Sequence, residues 1–461
     1  MVRKWLFRSI VYVCIVALFV GGIGAYGALR SRANWLSVRD MPAPSLQAVT
    51  KPEYDPKKPT IAVVLGNPLT EVFDFMVPYE MFAMTGAYNV FAVAPTPDAT
   101  SLTGGLDLVP HYSFDEVDAL LGQSPDLIVV PYMPMNDEAK YRPVRAWLQK
   151  HAETEWLSIC SGSSNVADAG LLKGRSSTIH WRLLNQVQKK YPDTKWVTDQ
   201  RYVRDGNMTA SAGLTSGIDA VLHVISRDLG EAAAGKIAAE MNYPSYHFVS
   251  HPKTDPYVID RTEAIFYLNL AYQFFKKKAG VLLYDGMEES ALTSVFDTYA
   301  PLGTTQLYTV SSENRPIVTK HHLNLIARYQ ATNVPAIDRL FVTGHEAQAL
   351  SSEEMKHWNE KAVHTAKPEF IHGGAPDAFV FDAVLADLAK QEDVLTAIWA
   401  AKRLEYRADH LKLAGPPFPV EAFVTPIVLG LVGLLAIAYA HCKSMRRSLR
   451  RFDPRERTAG N

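Results

Sequence analysis

Between Arg8 and Arg30 the chain runs for 21 residues without a charge, SIVYVCIVALFVGGIGAYGAL. A helix rises about 1.5 Å per residue, so a run of that length spans the roughly 30 Å hydrocarbon core of a bilayer. Residues 9–29 therefore read as a membrane helix or an uncleaved signal anchor. A second uncharged run of 19 residues, AFVTPIVLGLVGLLAIAYA, occupies 422–440, and Lys443, Arg446, Arg447, Arg450, Arg451, Arg455 and Arg457 follow it. Cations clustered just past an apolar helix mark its cytoplasmic end. Arg3, Lys4 and Arg8 favour the same side for the N-terminus, against the weaker vote of Arg30, Arg32 and Arg39. The expectation is a two-span protein of the cell membrane with both termini cytoplasmic, a basic tail over 441–461, and central domains extracytoplasmic. Membrane lipid is the first partner implied. Small residues near Ala25 to Ala28 leave signal-peptide cleavage open, and the second helix would still hold the exported part.

Apolar residues make up 48% of the 461 and charged ones 21%, which suits more than one folded unit and excludes global disorder. Lys plus Arg (47) and Asp plus Glu (48) nearly cancel, so no overall pull draws the chain to nucleic acid, and none is expected as a partner. Cysteines at 14, 160 and 442 are too few for a disulfide framework. Cys160 alone belongs to the exported part.

Residues 30–59 are rich in Pro, Lys and polar side chains, which reads as a linker lifting a domain off the membrane. Structure then begins abruptly. IAVVL (61–65) is the β-branched run of a strand buried on both faces; a helical stretch (73–85) and a second apolar run, NVFAVA (89–94), follow it. A hairpin near 104–110, a helix FDEVDALL, the strand DLIVVP, a helix near 141–151 and the strand EWLSIC continue the alternation. Strand and helix in turn predict an α/β, flavodoxin-like doubly wound sandwich over 60–250. After a helical connector (251–278), residues 279–415 repeat the same order in outline. GVLLYDGMEESALTSVFDTYAPLGTTQLYTVS parallels AVVLGNPLTEVFDFMVPYEMFAMTGAYNVFAVA, and AIDRLFVTG parallels PDLIVVPY. A divergent second copy is expected, incomplete because polar helical sequence from Ser351 to about Ala366 stands where an elbow would be. The pair would form an intramolecular pseudo-dimer; a homo-dimer is the alternative.

The chemistry concentrates where EWLSI runs into Cys160-Ser161-Gly162 and then a helix. A nucleophile at a sharp strand-to-helix turn gains exposure at the sheet edge, a glycine to relieve strain, and a helix N-terminus that favours a thiolate. A buried, inert cysteine is the plain alternative.

The segment CSGSSNVADAGLLKGRSSTIHW (160–181) resembles the nucleophile elbow of the ThiJ/PfpI superfamily, of the class I glutamine amidotransferase-like fold. It is especially similar to the amidase-like domain of AraC-type regulators and to isonitrile hydratases. DGNMTASAGLTSGIDAVLHVI (205–225) and DFMVPYEMF (74–82) match the same group in order. The resemblance implies Cys160 as nucleophile and Asp74, four residues before Pro78, as its acidic partner, with Glu71 the rival acid. It offers His180 as general base or orienting residue, with packing as the alternative. Ser161 supplies the N–H after the nucleophile, an oxyanion donor, with Gly162 beside it. No helix-turn-helix follows, so DNA binding is not implied, and the His-x-Glu pair that glutaminase chemistry needs is missing. Neither a metal nor a cofactor is expected: His321, His322, His357, His364 and His372 read as surface or loop residues without metal-ligand spacing, and no Gly-rich phosphate loop is present. Two functions compete: a cysteine-dependent hydrolase, hydratase or amidase-like enzyme on a small molecule, or a non-catalytic ligand- or redox-sensing module. An inert scaffold is a third.

Overall fold

The computed structural model describes residues 2–44, 49–362 and 366–451, so His364 and the tail after Arg451 lie outside it. Helix α1 (Val2–Trp35) opens the chain. It and the C-terminal helix are both long and apolar enough to cross a membrane. Their apolar side chains face outwards, with Leu18 76% and Leu435 70% exposed. A helix keeps its backbone hydrogen bonds within itself, which is why an apolar stretch of this kind can remain helical outside a protein core.

The first unit is built on β1 (Thr60–Val64), α2 (Val72–Met84), β2 (Asn89–Ala94), β3 (Leu127–Val130), β4 (Glu155–Ser158) and α3 (Ser163–Asp168). β1 lies inside a seven-stranded sheet, between β2 and β3, with β4 outside β3. These four pair in parallel, and a hairpin of Tyr202–Asp205 and Met208–Ser211 closes the edge. All five residues of β1 are buried, as its uninterrupted apolar, β-branched sequence requires. One face of the sheet packs Phe91, Phe114, Trp147 and Trp156 into a core of its own. The other face, under α2 and Leu214–Leu229, belongs to a core that continues into the second unit.

The second unit places β5 (Lys277–Leu282) between β6 (Thr305–Ser311) and β7 (Arg339–Val342), with α4 (Glu289–Tyr299) joining β5 to β6. Its five strands are all parallel, and β5 pairs with β6 and β7 as β1 pairs with β2 and β3. After β7 the chain enters Ala347–Leu350 and Ser352–Lys361, both helical. Helices α2 and α4 pack on each other between the sheets. A further sheet joins the units directly: Asn324–Ile326 pairs antiparallel with Leu106–Val109. The chain then forms α5 (Val394–Arg403) and ends in α6 (Val420–Arg451), which runs back along α1, Tyr12 Oη meeting His441 Nδ1 at 3.0 Å.

The described parts of the stretch, 36–44 and 49–59, do not act as a free spacer. The Trp35 carbonyl accepts the Gly104 N–H at 2.7 Å, and Arg39 and Arg328 both grip the fully buried Asp107. Thr50 and Asp55 are bound to Asn324 and Asn89 in turn. Proline and lysine content signalled irregular backbone, but irregular backbone can still be strapped to a surface when side chains satisfy its polar groups.

Candidate active site

Cys160 stands one residue beyond β4, with φ at 53°, in the left-handed region that non-glycine residues rarely occupy. Ile159 before it is extended, and Cys160–Gly162 form one tight turn before α3. The Cys160 N–H donates to Ser211 Oγ at 3.0 Å, which pins the turn to the neighbouring strand. Gly162 is required by a close approach: a Cβ there would meet the Val130 carbonyl oxygen and the Pro131 backbone. Strain held in place by surrounding bonds is a mark of a functional turn.

Helix α2 brings its acids to the same place. Glu71 caps the helix, accepting the Asp74 N–H at 2.9 Å on Oε2, and Asp74 lies in the first turn. Asp74 Oδ2 accepts the Tyr132 N–H at 3.1 Å, while Oδ1 has no hydrogen-bond partner among the described residues. The Cys160 sulfur meets Ser161 Oγ at 3.7 Å. Burial pushes the Asp74 and Glu71 carboxyls well above their usual range, and the nearby Asp297 carboxyl adds to it in both.

The thiol departs from its expected exposure and acidity. Cys160 is 5% exposed, and burial, with Asp74 and Glu71 adding charge of the wrong sign, raises its pKa well above the usual value. The helix N-terminus that favours a thiolate is outweighed by desolvation. Roomier hollows lie elsewhere, as in the 710 Å³ space lined by Pro244, Phe248, Thr254 and Arg407.

Chain from the far end of the second unit packs beside the elbow, near enough for Arg403 and Glu405 to act on the thiol's charge. The carbonyls of Arg403, Leu404 and Glu405 face His180 Nε2 (3.0 Å), the Thr215 N–H (3.0 Å) and the Thr215 hydroxyl (2.8 Å) respectively. His180 is thus committed to the backbone of this plug, and burial pushes its pKa down to about 3. The structure does not pair it with the thiol. Held in this way, the Arg403 guanidinium donates to Asp297 Oδ1 at 2.9 Å and lies 3.5 Å from Glu71 Oε1. Two buried acids, Asp297 and Glu71, therefore share one fixed cation.

Arg403, Asp297 and Glu405 escaped the sequence reading. Asp297 carried one usable signal: it lies as far beyond Glu288, the N-cap of α4, as Glu80 lies beyond Glu71. Arg403 carried none, because hundreds of residues separate it from the elbow. His372, expected at the surface, is 1% exposed and accepts the Gly344 N–H at 3.0 Å, because the second unit folds its loops over it.

Glu405 makes the plug sensitive to pH. Its carboxyl accepts the Ser216 hydroxyl at 2.9 Å, and burial pushes it up to about 7, with Arg201 opposing. A folded-state value above the unfolded one means that this stabilisation is complete below about pH 4.5 and is lost as pH rises through about 7. Glu405→Gln retains an acceptor for Ser216. It is expected to flatten the decline in melting temperature between about pH 5 and 8; an unchanged slope in thermal melts would count against this.

Residues 59–227 match the DJ-1/PfpI family. An isonitrile hydratase of Pseudomonas putida is 28% identical over 198 residues, covering 41% of this chain and 82% of that one. An HTH-type transcriptional regulator of Pseudomonas aeruginosa, CdhR, is 33% identical over 111 residues, which span 22% of this chain but only 33% of the regulator. Among solved structures, a mutant DJ-1 superfamily protein of Salmonella typhimurium aligns over 40% of this chain and 99% of its own, at 25% identity and a TM-score of 0.36. Drosophila melanogaster DJ-1beta aligns over 39% and 96%, at 19% identity and a TM-score of 0.35. The first α/β unit of this chain, residues 59–227, is a DJ-1/PfpI family domain.

Proposed function

We propose that the chain is a membrane-anchored cysteine enzyme of the hydratase or hydrolase type, acting on a small electrophilic compound of the amide, carbonyl or isonitrile kind. The observation that carries this reading is the strained Cys160 turn with Asp74 close enough to act on the thiol's charge, a buried acid with one oxygen unbonded among the described residues. A raised pKa favours the protonated form of the acid, which can give its proton up, and that is what addition to a polarised carbon needs. In this reading the Cys160 sulfur forms a bond to the electrophilic carbon, and Asp74 protonates the atom that gains the displaced electron pair. The thiol proton passes to the Asp74 carboxylate so formed; water then adds to the carbon as the carbon–sulfur bond breaks, one water proton returning to the sulfur and the other leaving with the product. Arg403 keeps Glu71 and Asp297 in place, and Ser161 and Gly162 supply the backbone beside the developing charge. Substrate entry requires the Arg403–Glu405 plug to move.

Similarity to an isonitrile hydratase supports the choice of electrophile. The two apolar helices support anchoring, with α1 and α6 spanning the bilayer and both α/β units outside the cytoplasm. The shared strand order and the matching acids on α2 and α4 support an internal duplication, in which the second unit takes the place of a dimer partner.

Cys160→Ala is expected to abolish formamide production from an isonitrile panel by the purified full chain. Asp74→Asn should lower kcat by about 10²–10⁴, the range for losing a positioned proton donor. Full activity in Cys160→Ala would overturn the catalytic reading. The buried thiol and its raised pKa favour one alternative, a ligand- or redox-sensing module whose plug relays a change to α6. That reading predicts no turnover in the wild type and a shift in plug accessibility when ligand or peroxide is added.

A further inference from the structure

We propose that Glu80, Glu289 and His321 form a binding site for a divalent cation of the zinc class, between the two units and away from the elbow. One donor atom from each side chain lies within 4.8 Å of the others. Glu80 comes from α2, Glu289 from the first turn of α4, and His321 from the loop between the short strands Ile317–Val318 and Asn324–Ile326. No sequence spacing announces such a set, which is why His321 reads as a surface histidine until the chain is folded.

Two of the donors are held by bonds of their own. Glu289 is fully buried; its Oε1 accepts the His321 N–H at 2.9 Å and the Thr319 hydroxyl, and its Oε2 faces His321 Nδ1 at 2.8 Å. Glu80 differs. It is 4% exposed, its Oε2 accepts the Ser290 N–H at 2.8 Å, and its Oε1 accepts no hydrogen bond among the described residues. That second oxygen is left available to a cation.

The elbow supplies the comparison. There, Glu71 and Asp297 meet at the N-terminal end of α2 and share the guanidinium of Arg403. At the N-terminal end of α4 the corresponding acids are Glu288 and Glu80, joined by Glu289, and no arginine among the described residues bridges them. Lys320 Nζ (3.9 Å) and His345 Nδ1 (3.0 Å) are both engaged with Glu288. That leaves the imidazole of His321, 2.8 Å from Glu289 Oε2, as the counterpart of these acids. A dication would answer both carboxylates at once. It would bind the imidazole through Nδ1, with the ring proton on Nε2. Two carboxylate oxygens and one imidazole nitrogen suit Zn²⁺, and three protein ligands leave a position for water. The His321 side chain is 16% exposed, so the ion has an outward face.

The full chain in detergent, stripped with EDTA and titrated with ZnCl₂ against a competing dye, tests this. The expected result is one strong Zn²⁺ site, weakened at least about 30-fold in Glu80→Gln and in His321→Ala. Glu80→Gln retains an acceptor for Ser290, so its melting temperature in EDTA should match or exceed that of the wild type. Should it fail to fold, Co²⁺ decides the matter. Visible ligand-field bands are expected in the wild type and should vanish in His321→Ala. Equal Zn²⁺ affinity in the wild type and His321→Ala, or wild-type Co²⁺ spectra free of such bands, overturns the proposal. Enzymatic activity is not the readout, so the outcome is independent of what Cys160 does.

Discussion

Arg403→Leu is expected to destabilise the folded chain by about 3–5 kcal/mol, the usual cost of leaving a buried charge without its partner. The guanidinium is 9% exposed and serves Asp297, which is fully buried, and Glu71. Leucine fills much of the volume but returns none of the charge, and Asp297 Oδ2 already lacks a partner among the described residues. The loss should depend on pH in a definite direction. Arg403 lowers the pKa of Glu71 and Asp74, so its removal raises both further above their unfolded values. Protonation then relieves the variant, and the gap between wild type and Arg403→Leu should narrow as pH falls from about 7 towards about 4.5. Urea unfolding in detergent at several pH values measures this. A gap that stays constant would mean that the carboxyls at the elbow are already neutral. Arg403→Lys should fall between the two, since one ammonium cannot reproduce both contacts of the planar fork.

Gly162→Ala should be as damaging by a different route. The added methyl would occupy the space of the Val130 carbonyl oxygen and the Pro131 main chain, and Val130 is the last residue of β3. No side chain there can rotate aside, so either the strand or the turn must shift. Overpacking of this kind costs about 1–3 kcal/mol and more where backbone is the obstacle. The displacement falls on Cys160 itself, two residues away, so activity should disappear even in protein that remains folded. Gly174→Ala is the control: its φ of 75° strains an alanine, but nothing lies within 4 Å of the new atom. It should lose about 1 kcal/mol and retain activity. Equal melting temperatures for wild type and Gly162→Ala would show that the turn is looser than its packing implies.

The elements around the elbow were legible because each carries a local cause. β1 to β4 are apolar runs of strand length, and the Cys160-Ser161-Gly162 turn ends one of them. Asp74 was legible through its distance from Pro78, and the structure sets it beside the thiol's surroundings. His180 was legible through the family resemblance and its distance from Cys160, yet spacing along the chain says nothing of which acceptor a ring nitrogen will meet. It met the carbonyl of Arg403. The stretch 36–59 failed in the opposite sense: its composition announces the absence of helix and strand, but not whether the irregular chain adheres to the domain beside it.

Hydrophobic run length, charge at the ends and the alternation of strand with helix are properties of neighbouring residues, so the order of elements and the two apolar helices could be read from the sequence alone. The state of the thiol could not. Its pKa is set by burial, by Asp74 and Glu71 and then by Glu405, and the Asp297 and Arg403 that hold Glu71 reach the elbow only because α4 packs on α2 and the chain after α5 returns over His180 and Thr215. Desolvation and Coulomb energy are set by distance in space, and that distance exists only once both units have closed on each other.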